Sequence, residues 1–138
     1  MSKPKLYLAG KMAGLTFHEM TQWRNEAKNT LKEDFNIIDP CEHFVPNTEK
    51  IYTDSEAKEF DLFVVKNSDI VLVNFKYPDS IGTAIELHMA HDEWRIPVIA
   101  YGGNIENVHP WMRLSITKYC ETFDDAVEYI FKHYFKNL

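Results

Sequence analysis

A chain of 138 residues and 16.2 kDa can bury one core without disulfides and is too short for two, so residues 1–138 are read as a single domain. With 45% hydrophobic and 26% charged residues and a mean hydropathy of -0.36, the composition excludes a disordered chain. A net charge of -6 disfavours sequence-independent binding to nucleic acid or anionic membrane.

In chain order, Leu6-Tyr7-Leu8-Ala9 is a short apolar run stopped by Gly10, and Phe17, Met20, Trp23, Ala27 and Leu31 recur at helical spacing over residues 16–31. Phe35-Asn36-Ile37-Ile38 predicts a second strand ending at Asp39-Pro40, followed by a polar loop from Pro46 to Thr53. A helix is expected over Asp54 to Lys66. The run from Asp69 to Phe75 does not alternate, which suits a strand covered on both faces of a parallel sheet. A helix from Ile81 to Trp94 and a buried strand over Pro97 to Tyr101 follow, with a turn at Gly102-Gly103-Asn104. The remainder predicts a short helical or irregular stretch from Ile105 to Leu114, a strand near Lys118 to Cys120, and a terminal helix carrying Asp124 and Asp125 in its first turn and Lys132 and His133 near its end. Strands alternating with helices imply right-handed crossovers and a three-layer α/β sandwich of about five parallel strands with helices on both faces.

No apolar run approaches the roughly 20 residues of a membrane span, and the start lacks a signal-peptide core, so a cytoplasmic protein without membrane partners is expected. Cys41 and Cys120 show no metal-ligand spacing and are expected to be reduced, partly buried thiols. His88, His91 and Asp92 could suggest a metal pair, but on a helix between buried strands they fit a solvated or subunit-facing surface better. No metal site and no cofactor is predicted. Gly10-Lys11-Met12-Ala13-Gly14 after the first strand matches neither phosphate-binding glycine motif.

A parallel sheet of this kind binds ligands beyond the carboxyl ends of its strands. That singles out the loop leading to Ser80-Ile81-Gly82-Thr83-Ala84-Ile85-Glu86: a capping hydroxyl, a glycine allowing close approach, and an acid about one turn inside the helix. The helix dipole is expected to hold Glu86 ionised with a lowered pKa, suiting a nucleophile or charge stabiliser. Asp61, on the preceding helix, and Asp79 supply further carboxylates with which labour could be divided. Trp111 and Met112, beside His109, Pro110 and Arg113, could stack on a base, rim a neighbouring subunit's pocket or plug the local core.

Tyr7-Leu8-Ala9-Gly10, Asp61-Leu62 followed by Asn67-Ser68-Asp69-Ile70-Val71-Leu72, and above all Ser80-Ile81-Gly82-Thr83-Ala84-Ile85-Glu86-Leu87 together resemble the nucleoside 2-deoxyribosyltransferase family in order and spacing. The resemblance implies a flavodoxin-like fold and transfer of 2-deoxyribose between nucleobases through a covalent deoxyribosyl ester on Glu86, without metal or organic cofactor. It implies that Tyr7 holds the glutamate, that Asp61 manages the proton of the base, and that Gly10, Lys11, Met12, Asp79, Ser80 and Gly82 lie against substrate. It further implies 2'-deoxynucleosides or deoxynucleotides and free nucleobases as substrates, and a homodimer or larger assembly in which a segment between His109 and Arg113, with Trp111 and Met112, reaches a neighbour's pocket.

Three departures from the family pattern stand out: Lys11 and Met12 replace aromatic or small residues, His88 stands where glycine commonly follows Glu-Leu, and Ser80 replaces a base-contacting aspartate. The serine resembles the related deoxynucleoside 5'-monophosphate N-glycosidases, hydrolases in which serines bind phosphate. There Lys11 and Arg113 would attract the phosphate that Asp79 repels. Hydrolysis by the same glutamate and a non-catalytic nucleotide-binding domain are the alternative readings.

Overall fold

The computed structural model describes residues 2–43 and 51–138. Five strands form one sheet: β1 (Lys5–Ala9), β2 (Asn36–Ile38), β3 (Ile70–Asn74), β4 (Val98–Tyr101) and β5 (Lys118–Cys120). Their spatial order is β2-β1-β3-β4-β5, and every neighbouring pair is parallel. The connections are made by α1 (Phe17–Leu31), α2 (Asp54–Lys66), α3 (Ile81–His88) and the four-residue α4 (Pro110–Arg113), and α5 (Phe123–His133) closes the chain. This is the flavodoxin-like three-layer sandwich expected from the sequence. The predicted polar loop of residues 46–53 lies, up to residue 50, outside the described residues.

Strand pleating divides the apolar residues between two cores. Leu6 and Leu8 of β1, Ile70 and Leu72 of β3, and Ile99 and Tyr101 of β4 pack with Ala27 and Leu31 of α1 and Ala126 and Ile130 of α5. Tyr7, Ala9, Val71, Val73, Val98 and Ala100 face the other way, against Val65 of α2, Leu87 of α3, Ala90 and Met112. The unbroken apolar run in β3 thus reflects burial on both faces.

Local chemistry sets the helix starts. Thr16 and Thr53 each accept a hydrogen bond from the backbone N–H three residues on, and the Glu19 and Glu56 carboxylates in turn accept one from the cap backbone N–H. Ser80 and Thr122 cap α3 and α5 with their hydroxyls. The helix expected over residues 81–94 is α-helical only to His88 and widens into a π-turn over Met89–Glu93. Within that turn Trp94 N–H bonds to Met89 O at 2.9 Å, five residues back, a widening that residue spacing alone does not signal.

No helix among the described residues is long and apolar enough to cross a membrane. Cys41 and Cys120 are buried and free, and burial pushes the Cys41 thiol up to about 11. His88 and His91 both pair with Asp92, at 2.9 and 2.6 Å, and no metal-binding cluster occurs among the described residues.

The turn after β4 depends on glycine. Gly103 has φ of +59°, and a Cβ there would lie 2.2 Å from the carbonyl oxygen of Phe75. Since the obstacle is backbone of the neighbouring strand's exit, Gly103→Ala should lower unfolding free energy in urea by roughly 2–4 kcal/mol. A loss under about 0.5 kcal/mol would show that the turn relaxes freely.

Candidate functional site

The strand order reverses direction at β1. The chain leaves β1 for β2 on one side and returns to β3 on the other, so the loops after β1 and β3 part and open a cleft between them. A cavity of about 770 Å³ occupies that cleft. Its floor and walls include Tyr7 from β1, Gly10, Lys11 and Met12 from the next loop, Asp61 from α2, and Asp79, Ser80, Gly82, Thr83 and Glu86 around the start of α3.

Nine of the eleven site residues expected from the sequence therefore converge: Tyr7, Gly10, Lys11, Met12, Asp61, Asp79, Ser80, Gly82 and Glu86. Trp111 and Met112 do not line the cavity. On α4, successive side chains point about 100° apart, so two adjacent residues need not share a face. Met112 is the inward one, 7% exposed and packed in the core, which removes it from any base-stacking or intersubunit role that needs an accessible side chain. Trp111 projects outward at 79% exposure, its ring 6.1 Å from that of His109. Arg113 also lies off the cavity, with Nε buried, so its expected pull on a substrate phosphate is not supported.

At the centre, the Tyr7 hydroxyl donates a hydrogen bond to Glu86 Oε2, joining β1 to α3. Tyr7 has no exposed surface, and burial together with the neighbouring Glu86 and Asp61 charges raises its pKa well above 10.0, so it remains a donor. Glu86 is half-buried where it lines the cavity, and burial of the carboxyl pushes its pKa up to about 8. The Tyr7 hydrogen bond opposes that rise, Asp61 adds to it, and Arg24 opposes it.

The expectation that the helix dipole holds Glu86 ionised with a lowered pKa is thus corrected. Glu86 is the sixth residue of α3 and falls outside its first turn, where the dipole's influence has largely decayed. Burial dominates instead. Asp61 is likewise shifted by burial, up to about 6, with His43 and Arg24 opposing, and its Oδ1 is buried without a hydrogen-bond partner.

The cavity mouth is tied across the cleft. Lys11 Nζ reaches Asp79 Oδ2 at 3.0 Å, and this bond holds the exposed Asp79 carboxylate below its ordinary pKa. The Tyr77 hydroxyl donates to Glu19 Oε2 at 3.1 Å, linking the loop after β3 to the start of α1. Ser80 Oγ accepts from Thr83 N at 3.2 Å, while Thr83 Oγ1 is itself buried and unpartnered. A Cβ at Gly82 would meet no protein atom within 4 Å, so its glycine leaves open space beside the cavity.

Arg24, whose side chain is fully buried behind the site, was not among the residues expected there. Nor were Ala57, Lys58 and Leu62 of α2 and Ile81, Thr83 and Ile85 of α3, which help to complete the walls. A charged residue on the inward face of α1, among Met20, Ala27 and Leu31, was the available signal for Arg24.

The carboxyl shifts have a direct consequence for stability. Because the folded pKa of Glu86 lies above its ordinary 4.5, the folded chain holds a proton that the unfolded chain releases, and stability falls as pH rises from 4.5 through about 8. Asp61 adds a smaller fall between 3.8 and about 6. Glu86→Gln removes the larger dependence, so relative to the parent it should gain on the order of 2–4 kcal/mol between about pH 5 and pH 9 in urea unfolding. Parallel stability curves for the two proteins would contradict the raised carboxyl.

Comparison with solved structures places the fold among known proteins. A conserved protein from Enterococcus faecalis superposes with a TM-score of 0.75 at 19% identity, over 95% of this chain and 99% of that one. A 2-deoxyribosyltransferase from Bacillus psychrosaccharolyticus superposes with a TM-score of 0.73 at 23% identity, over 93% of each chain. The 2-deoxyribosyltransferase from Leishmania mexicana gives 0.65 at 13% identity, over 95% of this chain and 99% of that one. At these identities the likeness is one of fold. A search of curated proteins finds no match. The model of a family described as a domain of unknown function, DUF4406, matches residues 4–100, most of the sheet and the whole cleft around Glu86, and the chain belongs to that family.

Proposed function

We propose that the protein transfers 2-deoxyribose between nucleobases, with Glu86 as the nucleophile. The observation that carries this reading is the Tyr7–Glu86 hydrogen bond at the base of a cleft that also holds Asp61. Tyr7 occupies Oε2 and leaves Oε1 for the sugar. In the first step the Glu86 carboxylate attacks C1' of a 2'-deoxynucleoside, a C1'–O bond forms, and the C1'–N bond breaks with its electron pair going to the base. Asp61 supplies the proton that the departing base takes up. In the second step another base attacks C1' from the vacated face, its proton passes to Asp61, and the glutamate is released. Two inversions retain the anomeric configuration.

The raised carboxyls support this division of labour as a pair. With pKa values of about 8 and about 6 on neighbouring acids, the unliganded site holds roughly one proton at neutral pH. Passing that proton through Asp61 to the base leaves Glu86 charged at the moment it must attack. The leaving group is thereby neutralised and the nucleophile unmasked by one transfer.

A second reading, hydrolysis of deoxynucleoside 5'-monophosphates by the same glutamate, is favoured by Ser80 and Lys11 on the cavity wall, since a phosphate could displace Asp79 from Lys11. Parallel incubations of a deoxynucleoside and of its 5'-monophosphate, each with a foreign base and followed by chromatography, separate the possibilities. A new nucleoside supports transfer, free base with deoxyribose 5-phosphate from a nucleotide supports hydrolysis, and binding without turnover overturns both. Glu86→Gln should lower turnover by at least about 10³-fold while the fold persists, and Asp61→Asn by about 10²-fold or more. Near-parent activity of Glu86→Gln would remove the nucleophile assignment.

Self-association is part of the same reading. Phe63, Ile81, Ile85, Trp111 and Leu114 are exposed apolar side chains on or beside the packed helices α2, α3 and α4. A second copy covering this face would bring Trp111 toward a neighbour's cleft. Trp111→Glu should then shift the protein toward monomer in sedimentation experiments. Unchanged mass at every concentration would remove Trp111 from the interface.

A further inference from the structure

Arg24 has no exposed surface although it lies on an amphipathic helix with three other charged residues, Glu19, Glu26 and Lys28, that reach solvent. A charge is not buried without consequence, and one of its contacts reaches Gly10 on the cavity wall. Nη2 donates to the carbonyl of Gly10 at 3.0 Å and Nη1 to the carbonyl of Met20 at 2.7 Å. The guanidinium carbon stands 4.5 Å from the centre of the Trp23 ring. That ring also packs against Gly10, since a Cβ on Gly10 would lie 2.7 Å from Trp23 Cζ2 and 3.5 Å from Arg24 Nη2. Gly10 is three residues after Tyr7 and forms the cavity wall with Lys11 and Met12. The Trp23–Arg24 pair therefore pins the exit of β1 from behind.

The charge of Arg24 is only loosely satisfied. Its Nε is buried with no hydrogen-bond partner and sits 3.6 Å from Asp39 Oδ1. Asp39 is shared: Oδ1 also accepts from Cys41 N at 2.9 Å, and Oδ2 takes Lys28 Nζ at 2.8 Å. Lys28 is held in turn by Glu42 at 2.9 Å. A guanidinium whose counter-ion is divided in this way retains charge to act on other groups.

We infer that Arg24 is a positioning residue of the site, fixing the Gly10 turn through its carbonyl and lending positive charge to the Tyr7–Glu86 pair from the far side of β1. Favourable interaction of Arg24 with ionised Glu86 and Asp61 is in keeping with this, as it opposes the rise caused by burial in both. The other charged and titratable groups bordering Glu86 are Tyr7 on β1, Asp61, Lys58 and Asp54 on α2, Tyr52 ahead of α2, and Lys11 and Asp79 at the mouth. Apart from Lys11 and Lys58 these are acidic or phenolic, so Arg24 is the buried cation of the set.

This inference rests on the functional reading only for its catalytic consequence, and the test is built to keep the two apart. The titration of Glu86 is followed directly by carbon NMR of protein labelled at the glutamate carboxyl, with the Glu86→Gln spectrum assigning the resonance. Arg24→Met should move the Glu86 midpoint upward by at least about half a pH unit, whereas Arg24→Lys should leave it close to the parent. In the transfer assay Arg24→Lys should chiefly raise KM, because the fork that holds Gly10 is lost while the charge remains. Arg24→Met should in addition displace the descending limb of the pH profile of kcat/KM, where the one proton of the site is lost, in step with the NMR midpoint.

Should Arg24→Met fail to fold, Asp39→Asn decides the matter, since removing the counter-charge should move the Glu86 midpoint downward. A midpoint indifferent to Arg24→Met, or one that Asp39→Asn leaves unmoved or raises, overturns the inference. If the parent protein transfers no deoxyribose but these midpoints shift as described, the functional reading falls and the role of Arg24 stands.

Discussion

The hydrogen bond between Tyr7 and Glu86 is the contact on which the cleft depends. Its partners stand 79 residues apart in the chain, and they meet only if β3 is laid beside β1 and α3 returns over it. Each would be costly alone: a phenol with no exposed surface needs an acceptor, and a carboxyl at the bottom of a cleft needs a donor. Together they satisfy one another and fix the azimuth of α3, with Leu87 turned into the core and Thr83 buried one turn earlier. A polar requirement thus sets the rotation of a helix whose apolar residues alone would tolerate several.

The rest of the site answers the electrostatic problem this bond creates. Glu86 and Asp61 are both disfavoured as anions by burial, and each ionised carboxylate makes the other less favourable. Arg24 partly relieves this from behind β1, and Lys11 is occupied by Asp79 at the mouth rather than drawn inward. The acids near the floor are consequently poised around neutrality, while the exposed acid at the rim is held ionised by its lysine. Position within one cleft separates carboxylates of similar intrinsic strength into different roles.

Most of the architecture was legible from residue pattern because the two-sided burial of β1, β3 and β4 demands continuous apolar runs, and helices between them leave few topologies. The convergence of Tyr7, Asp61 and Glu86 was legible only through resemblance, since no local spacing says that residues on β1, α2 and α3 meet. Three things were hidden. The ionisation of Glu86 depends on burial from several elements, not on its place along α3. Arg24 looks in sequence like any helix arginine, and only the apolar residues on its face hint that it turns inward. At α4, two adjacent residues offered for one role point about 100° apart, and which of them is buried depends on how α4 packs against α3.

The distribution of unsatisfied polar atoms carries the argument one step further. Among the described residues, four buried side-chain atoms lack a hydrogen-bond partner, and two of them, Asp61 Oδ1 and Thr83 Oγ1, belong to residues of the cavity wall. Each such atom costs on the order of 1–3 kcal/mol relative to a satisfied one. A fold that needed only stability would have filled those places with apolar side chains. A ligand with both donors and acceptors on a planar edge recovers the cost on binding, whereas an apolar molecule of equal size cannot. The unpaired atoms of the wall thus favour polar, hydrogen-bonding ligands over apolar ones of equal size, and Glu86, destabilised as an anion by the same burial, gains most from a ligand that brings donors to its free oxygen.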